Sequence, residues 1–255
     1  MDSLLGKKTA RTEAKKQLAI VERQEKAARY DALTVERPSG ERWVTMSNAL
    51  TRAAHGLTLG EKRIIMAAVS KLDSMARPIH GQAVPTTKIT AAEYAELAEC
   101  EPNAAYEALQ TAAKNLYNRS IVMFEPSFKR GDRKIGDKGT VTHMRWVGRA
   151  KYHDKEAWIE LAWWHEVVPH LIGLRKNFTS YQLQQASALR SVYSWRLLEL
   201  LTRFKSTGKA EYTIEDFCKS MEATEKQRAD FNNIRRRMIE PAVKELTQKD
   251  GWLIQ

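Results

Sequence analysis

Residues 90–119, TAAEYAELAECEPNAAYEALQTAAKNLYNR, are the stretch on which the fold of this chain depends. Thr90 stands three residues before Glu93, which is the spacing of a capping box and predicts the start of a short helix. Pro102 then turns the chain into a longer helix, predicted over residues 104–118. Its apolar stripe is formed by Tyr106, Leu109, Ala113, Leu116 and Tyr117. A short helix, a tight turn and a longer amphipathic helix together indicate a helix-turn-helix.

Two β-prone segments joined by a basic loop follow this pair of helices. Residues 120–124 and 140–146 are rich in β-branched and aromatic side chains, which favours strands. We interpret the two strands and their loop as a wing. A third alternating segment, residues 157–162, is predicted to complete this small sheet. The basic side chains of the loop are Lys129, Arg130, Arg133 and Lys134.

The same order of parts returns in the last third of the chain. A helical pattern over residues 181–204 and a short strand at residues 211–213 are predicted to precede a short helix that begins at Thr213. A polar linker leads to a longer helix over residues 230–248. The apolar face of that helix is predicted to consist of Phe231, Ile234, Met238, Val243 and Leu246.

Two features near the C-terminal end modify this second unit. Pro241 lies inside the long helix, where a proline costs about 3 kcal/mol, so we expect a bend there. Residues 251–255 resemble the first strand of a second wing, and no returning strand follows in the sequence. The second wing is therefore expected to be truncated.

These patterns predict an α+β, mostly helical fold with two tandem winged-helix domains and small antiparallel sheets. Residues 1–40 are predicted to form a basic N-terminal arm, to which the sequence assigns no specific role. Residues 41–176 are predicted to form the first winged-helix domain. A capping-box spacing from Thr58 to Glu61 starts one of its helices. Residues 177–255 are predicted to form the second domain.

The charge balance points to a polyanionic partner. The 255 residues contain 42 Lys and Arg against 31 Asp and Glu, a formal net charge of +11. Neutralising phosphates releases counterions, so this surplus favours binding to nucleic acid. No apolar run is long enough for a membrane helix, and the N-terminus has no secretory signal pattern. We expect a cytoplasmic, DNA-binding protein without a membrane partner.

The sequence offers no constellation for catalysis or for a cofactor. Cys100 and Cys218 lie far apart, and the six histidines form neither a His-x-His pair nor an HExxH helix, so no zinc site is predicted. Residues 131–136 have the glycine spacing of a phosphate-binding loop, but Asp137 and Lys138 follow where Lys and Ser or Thr are required. We expect no enzyme activity, no metal and no cofactor.

The N-terminal part of the second long helix is the predicted base-reading surface. Three consecutive arginines there suit the major groove, because an arginine fork matches O6 and N7 of guanine. Three consecutive helical residues spread over about 200° of arc, so one or two should reach bases while the others hold phosphates. The alternative interpretation is a solvated charged face. The candidate residues are Arg235, Arg236, Arg237, Asn232, Asn233, Lys226 and Arg228.

The corresponding helix of the first domain is poorly suited to reading bases. Its positive charges are Lys114 and Arg119, both near its C-terminal end, and its N-terminal half is AAYEA at residues 104–108. We therefore expect this domain to contact phosphates, through Lys114 and through the basic wing loop, and to make protein contacts.

With these residues in view, the sequence resembles the iteron-binding plasmid replication initiator (Rep) proteins, the family of the F-plasmid initiator. The resemblance extends over nearly everything from Trp43 to Gln255. The stretches that carry it are MSNALTRAAHGLTLGEKR at residues 46–63, LIGLRKNFTSY at residues 171–181, SVYSWRLLEL at residues 191–200 and IRRRMIEPAVKEL at residues 234–246.

The resemblance implies a biological role that spacing alone does not give. Monomers of such proteins bind direct repeats at a plasmid origin, help to open the duplex, and recruit host replication proteins such as the helicase or its loader. Their dimers repress the initiator's own promoter. The second domain reads bases, which corresponds here to Asn233 and the three arginines, while the first domain contacts the DNA backbone and supplies the dimer interface.

Two alternatives from other classes remain open at this point. A winged-helix transcription regulator without a replication role would share the fold and the basic surface. A protein-binding winged-helix module would use its basic surface only for solubility, and it would show no salt-dependent binding to duplex DNA.

Overall fold

The computed structural model describes Lys16, Gln17 and residues 33–76, 84–126 and 139–254. The strands are β1 (Trp43–Ser47), β2 (Thr86–Thr90), β3 (Ser120–Pro126), β4 (Gly139–Arg145), β5 (Val147–His153), β6 (Trp158–Trp163) and β7 (Phe178–Gln182). The helices are α1 (Asn48–Arg52), α2 (Leu59–Ser70), α3 (Ala91–Ala98), α4 (Pro102–Leu116), α5 (Leu183–Ser187), α6 (Val192–Thr202), α7 (Ile214–Ser220), α8 (Glu225–Arg228), α9 (Phe231–Ile234) and α10 (Glu240–Asp250). A π-helical turn (Arg235–Ile239) joins α9 to α10, and 3-10 turns lie at Ser39–Glu41 and Val168–His170.

The helix starts predicted from capping patterns are confirmed. Thr58 and Glu61 form a reciprocal capping box before α2, and Thr90 and Glu93 form another before α3. Thr213 caps α7 by accepting a hydrogen bond from the backbone N–H of Asp216. Each cap satisfies backbone donors that the first helical turn leaves unpaired, so the local sequence alone determines where these helices begin.

The pair α3 and α4 is followed by the predicted hairpin. Strands β3 and β4 pair antiparallel from Ser120 opposite Arg145 to Pro126 opposite Gly139. The predicted wing strands are thus confirmed. The buried face of α4 consists of Ala105, Leu109, Ala112 and Leu116, whereas Tyr117 of the predicted stripe is 45% exposed.

The predicted position of the third strand is wrong. Strand β6 does not join the β3–β4 hairpin; it is the centre of a separate three-stranded sheet in the order β2-β6-β5. All but one of its residues are buried, so it needs a neighbour on each side. Strands β2 and β5 supply those neighbours. The sequence concealed them because each exposes polar residues, such as Lys88 and Lys151, on one face.

The single long helix predicted over residues 181–204 is also wrong. The segment begins within strand β7, which pairs antiparallel with β1 so that Tyr181 lies opposite Val44. Helices α5 and α6 follow, and Ser191 caps α6 through its side chain. Because its partner is far away in sequence, β7 could not be recognised from local periodicity.

The two further short strands predicted for the second unit are wrong where the chain is described. Residues 211–213 and 251–254 have no regular secondary structure in the described part of the chain. Gly251 instead ends α10 in the left-handed conformation, with φ of 66°. The domain boundary at residues 176 and 177 stays a prediction.

Helix α6 lies at the junction of the two halves of the molecule. Buried apolar side chains of both halves form one continuous cluster, to which α6 contributes Trp195, Leu197, Leu198 and Leu200. Ile234 and Met238 of the second half belong to the same cluster. The helix formed by α9, the π-turn and α10 therefore packs against α6, and this packing positions the outer face of that helix.

Candidate nucleic-acid interface

Three side-chain caps start the successive helices that lead to and begin the predicted base-reading helix. Thr213 caps α7, and Thr224 forms a capping box with Gln227 at the start of α8. Asp230 accepts a hydrogen bond from the backbone N–H of Asn232 and starts α9. The polar linker foreseen in the sequence thus contains the additional short helix α8. The caps determine where the reading helix begins, and so which residues lie in its first turns.

The helix is interrupted by a π-turn immediately before Pro241. The backbone N–H of Glu240 donates to the carbonyl of Arg235, five residues earlier. Pro241 has no N–H to continue an α-helical ladder, and the wider π-turn occupies the residues just before it. The perturbation expected at Pro241 therefore falls on the turn that carries the three arginines.

The three arginines lie on the outer side of this turn. Arg235, Arg236 and Arg237 are all exposed, whereas the residues on either side of them, Ile234 and Met238, are 1% and 0% exposed. Those two apolar side chains anchor the helix to the core. The arginine side chains are thereby held at the surface by the packing of their neighbours.

The arginines differ in their partners. Arg235 donates from Nε to Oε1 of Glu240 at 2.8 Å, so an acidic neighbour on the next turn holds its guanidinium. Arg236 and Arg237 form no ion pair with any residue in the described ranges. Of the three arginines, these two are the most available to an incoming anion, because no acidic side chain pairs with them in the described ranges.

The flanking candidates lie at the same end of the helix. Asn232 and Lys226 are exposed, and Asn233 is partly buried. Arg228 is exposed as a residue, but its Nε donates to the carbonyl of Ala223 at 2.8 Å. This hydrogen bond restrains Arg228 against the preceding loop.

One residue of the predicted apolar face is placed differently. Phe231 is 50% exposed, and Ala242 is buried in its stead at 1% exposure. Phe231 is the first residue of α9, at the exposed end of the helix. The π-turn also shifts the later residues, which accounts for burial of Ala242 while Val243 is only partly buried.

In the first half, Lys114 is the available cation of α4. It is exposed and makes no ion pair within the portion of the chain that the structure describes. Arg119 is not available, because its Nε and Nη2 donate to the two carboxylate oxygens of Glu61 at 2.9 Å each. The wing-loop candidates Lys129, Arg130, Arg133 and Lys134 lie outside the described residues.

A buried cluster of charged side chains lies between the two halves and was missed by the sequence analysis. Lys62 of α2 and Glu199 of α6 are both 0% exposed, and Lys62 Nζ lies 2.9 Å from Glu199 Oε1. Arg196, 1% exposed, donates from Nη1 to Glu199 Oε2 at 2.6 Å. The signal in the sequence was an Arg and a Glu three residues apart in the otherwise apolar pattern of residues 191–200.

His55 and Tyr181 complete this cluster. The Nε2 of His55 lies 2.9 Å from the carbonyl of Leu50, and its Nδ1 lies 3.0 Å from Lys62 Nζ. The first contact requires the proton on Nε2, so Nδ1 accepts from the lysine. Tyr181 donates to Glu199 at 2.7 Å. One carboxylate is therefore shared by two cations and a phenol, away from water.

Burial changes the protonation of this cluster. Desolvation lowers the pKa of Lys62 to about 8, although Glu199 opposes this effect. Desolvation, reinforced by Arg196 and Lys62, holds the pKa of His55 well below 6.5, so its ring is neutral near pH 7. Desolvation and the negative charge of Glu199 raise the pKa of Tyr181 well above 10. The cluster thus contains a neutral imidazole and a neutral phenol beside the cations Lys62 and Arg196, which share the single carboxylate of Glu199.

Neither a metal site nor a membrane span is found in the described ranges. They contain no group of three or more His, Cys, Asp or Glu side chains arranged to hold a metal ion. No helix there combines the length and apolar character needed to cross a membrane.

Two family models match successive parts of the chain. The first, described as "Initiator Replication protein, WH1", matches residues 43–202, and the second, "Initiator Rep protein, WH2", matches residues 213–255. They predict two winged-helix domains, the fold expected from the sequence. The first model also includes α6.

Two proteins of Escherichia coli are similar over most of this chain. One, described as "Uncharacterized 27.6 kDa protein", is 27% identical over 219 residues, which cover 82% of this chain and 87% of that protein. The other, "Replication initiation protein", is 25% identical over 209 residues. That alignment covers 80% of this chain but 61% of the relative.

One solved structure shares the fold over most of its length. It is described as "Crystal structure of Pi initiator protein in complex with iteron DNA". Its TM-score to this chain is 0.64 at 21% sequence identity, and the match covers 83% of this chain and 88% of that one. This likeness confirms the fold of the chain.

Proposed function

The chain belongs to the initiator replication protein family, and from this premise we propose that it starts plasmid replication by binding directly repeated origin DNA, the iterons. The solved Pi initiator, which has the same fold, is complexed with iteron DNA. A relative from Escherichia coli is a replication initiation protein. Both similarities support this function.

The observation that carries the proposal is the row of exposed arginines on the reading helix. Arg236 and Arg237 project from a helix whose inner face is fixed by Ile234 and Met238. A helix entering the major groove presents its N-terminal residues to base edges, and arginine recognises guanine through O6 and N7. Arg236 and Arg237 are our first candidates for base contacts, with Asn232 and Asn233 beside them.

The remaining positive charges have a different role in this proposal. Contacts to phosphates set the register of a protein on the duplex without reading its sequence. We assign this role to Arg235, Lys226, Arg228, Lys114 and the wing-loop residues Lys129, Arg130, Arg133 and Lys134. The first domain would thus contact the backbone while the second reads bases.

The family relationship also supports proposals about regulation and partners. Monomers would bind the repeats and help to open the duplex, with binding free energy offsetting the cost of bending and unstacking DNA. A homodimer held through the first domain would repress the initiator's own promoter. The DNA-bound monomer would recruit the host helicase or its loader in the bacterial cytoplasm. None of these steps requires covalent chemistry or a cofactor.

The primary test of the proposal is a DNase footprint on the DNA upstream of the protein's own coding region, combined with a salt titration on random duplex DNA. We expect protection that repeats at helical-turn spacing and a specificity ratio above about one thousand. Weak, uniform and salt-labile protection would contradict sequence-specific binding. Specific binding without strand opening in an origin-unwinding assay would identify a transcription regulator instead.

The base-reading assignment predicts a specific effect of Arg236→Ala. Removal of a bidentate hydrogen bond to guanine should weaken binding to cognate DNA by about 1 to 3 kcal/mol and relax the preference at one base pair. Binding to random DNA should change much less. Competition titrations with single-base variants of the site would measure both effects.

Lys114→Ala and Lys134→Ala are the matched controls for Arg236→Ala, because each also removes one positive charge. Removal of a cation that neutralises a phosphate should weaken binding to cognate and random DNA alike and reduce the salt slope by about 0.9. Equal effects of Arg236→Ala on random and cognate DNA would refute its role as a base reader.

A further inference from the structure

Two charged side chains cross the boundary between the winged-helix domains and hold a loop of each. The loop of residues 53–56 belongs to the part matched by the first family model, and residues 220–222 to the part matched by the second. Arg196 Nη2 donates to the carbonyl of Ala53 at 2.8 Å and to the carbonyl of Ser220 at 2.7 Å. One guanidinium therefore binds backbone of both domains.

Glu222 makes the reciprocal contact. Its carboxylate oxygens accept hydrogen bonds from the backbone N–H groups of His55 and Gly56 at 2.8 and 2.9 Å. Hydrogen bonds to a charged group are shorter and roughly twice as strong as neutral ones. In loop 53–56, one carbonyl thus accepts from Arg196 and two N–H groups donate to Glu222. We call these contacts, together with those of Arg196 to Ser220, the interdomain clamp.

The backbone is shaped for the clamp on both sides. Gly56 has a φ of +62°, and a Cβ there would lie 2.8 Å from the carbonyl oxygen of Ser120. Glu222 has a φ of 56°, an uncommon conformation for a residue with a side chain. Glycine adopts a positive φ without strain, whereas a residue with a side chain keeps it only where the surrounding contacts compensate for the cost. The two hydrogen bonds accepted by the Glu222 carboxylate are such contacts.

The clamp lies between two elements that the proposed function places on DNA. Loop 53–56 is joined to the wing strand β3, since Ala54 and Val122 exchange both backbone hydrogen bonds, at 3.0 and 2.9 Å. Residues 220–222 lie at the C-terminal end of α7 and lead through α8 to the reading helix. Lys219 adds a cation–π contact, with Nζ 3.4 Å from the ring centroid of Phe124 on β3. The base of the first wing is therefore tied to the helix-turn-helix of the second domain.

We propose that Glu222, together with Arg196, positions the second domain's reading helix relative to the first domain's wing, so that both bind one duplex as a single rigid reader. This inference rests on the proposed function, because it concerns how the DNA contacts of the first domain depend on those of the second. In a clamped protein, binding of the second domain to the duplex already places the first domain against its phosphates. Without the clamp the domains act as tethered modules, and the effective concentration of one for the other falls.

The test uses Glu222→Ala in the full chain and a duplex that the wild-type protein selects from a random-sequence library. We expect affinity for that duplex to fall about ten- to one hundredfold, because the tethered first domain binds less effectively. The salt slope should fall by roughly 0.9 for each phosphate that the first domain no longer neutralises. Hydroxyl-radical protection should persist over the bases read by the second domain and fade over the remainder.

Glu211→Ala is the control variant. Glu211 is exposed, pairs with Lys209 on the surface, and contacts neither domain boundary loop. The Glu211→Ala variant loses one negative charge, as Glu222→Ala does, and it should leave the footprint and the salt slope unchanged. Glu222→Gln, whose amide oxygen can still accept one of the two hydrogen bonds, should be intermediate, and it serves if Glu222→Ala is poorly folded.

A double-mutant cycle supplies a readout that loss of stability alone would not move. Lys114→Ala should weaken binding less in the Glu222→Ala background than in the wild type, since first-domain contacts then contribute less. A wild-type footprint and salt slope in a folded Glu222→Ala protein would overturn the clamp and leave the proposed function intact. Failure of the wild-type protein to select any DNA would overturn both.

Discussion

Glu199→Ala should lower the free energy of unfolding by about 3 to 5 kcal/mol, the range measured when one partner of a buried ion pair is removed. Glu199 is 0% exposed and is the shared acceptor for Lys62, Arg196 and Tyr181. Removing it leaves two cations in the core without their counter-charge. Urea titration monitored by circular dichroism would measure the loss as a lower midpoint at an unchanged m-value.

Glu199→Gln separates charge from packing in this experiment. Glutamine has nearly the same volume and can still accept from Tyr181, but it does not neutralise Lys62 or Arg196. We therefore expect most of the destabilisation to remain. Glu211→Ala, an exposed site with an exposed partner, should change stability by less than about 1 kcal/mol. A Glu199→Gln protein as stable as the wild type would show that the cluster is held by shape and not by charge.

Acid should destabilise the protein through His55, by about 1.4 kcal/mol for each pH unit below about 6.5 over which the buried ring stays neutral. The sign follows from proton binding. The pKa of His55 is held well below 6.5 in the folded protein by burial and by two neighbouring cations, whereas the unfolded chain binds a proton near 6.5. The unfolded state therefore binds more protons as the pH falls, and the folded state loses stability.

Chemical denaturation between pH 7 and pH 5 would measure this dependence, and we expect the free energy of unfolding to fall as the pH is lowered across this range. His55→Asn is the matched variant, because an asparagine amide can donate to the carbonyl of Leu50 and accept from Lys62. The quantity to compare is the change in the free energy of unfolding with pH, and not the absolute stability of the variant. Equal slopes for the variant and the wild type would show that His55 titrates normally in the folded protein.

Local sequence patterns determined much of the DNA-binding framework. The capping boxes at Thr58 and Thr90 and the cap at Thr213 involve residues three apart, so no distant contact is needed to start those helices. The β3–β4 hairpin follows from two neighbouring β-prone segments. The arginines at residues 235–237 were identified because the charged and apolar positions of one helix can be separated by its period.

Other features depended on chain segments that are distant in the sequence. The predicted helix over residues 181–204 included the last two residues of strand β7, whose partner β1 is far upstream. Strand β6 was assigned to the wrong sheet because β2 and β5 have weak apolar patterns. The π-turn lies just before Pro241, and its position on the arginines was not predictable from periodicity. Exposure of Phe231 likewise depends on what packs beside the helix start.

The sequence by itself determined a basic, two-domain winged-helix protein with an arginine-rich helix in its second half, for which base reading stays a prediction. These properties follow from composition, from caps and from periodicities within single elements. Only the tertiary structure decided that Lys62, Arg196 and Glu199 meet in the core, and that Glu222 binds the backbone of His55, 167 positions away. Charged residues are normally solvated, so Arg196 and Glu199 within an apolar pattern were only a local signal, and their burial depends on the packing of distant segments that excludes water around them.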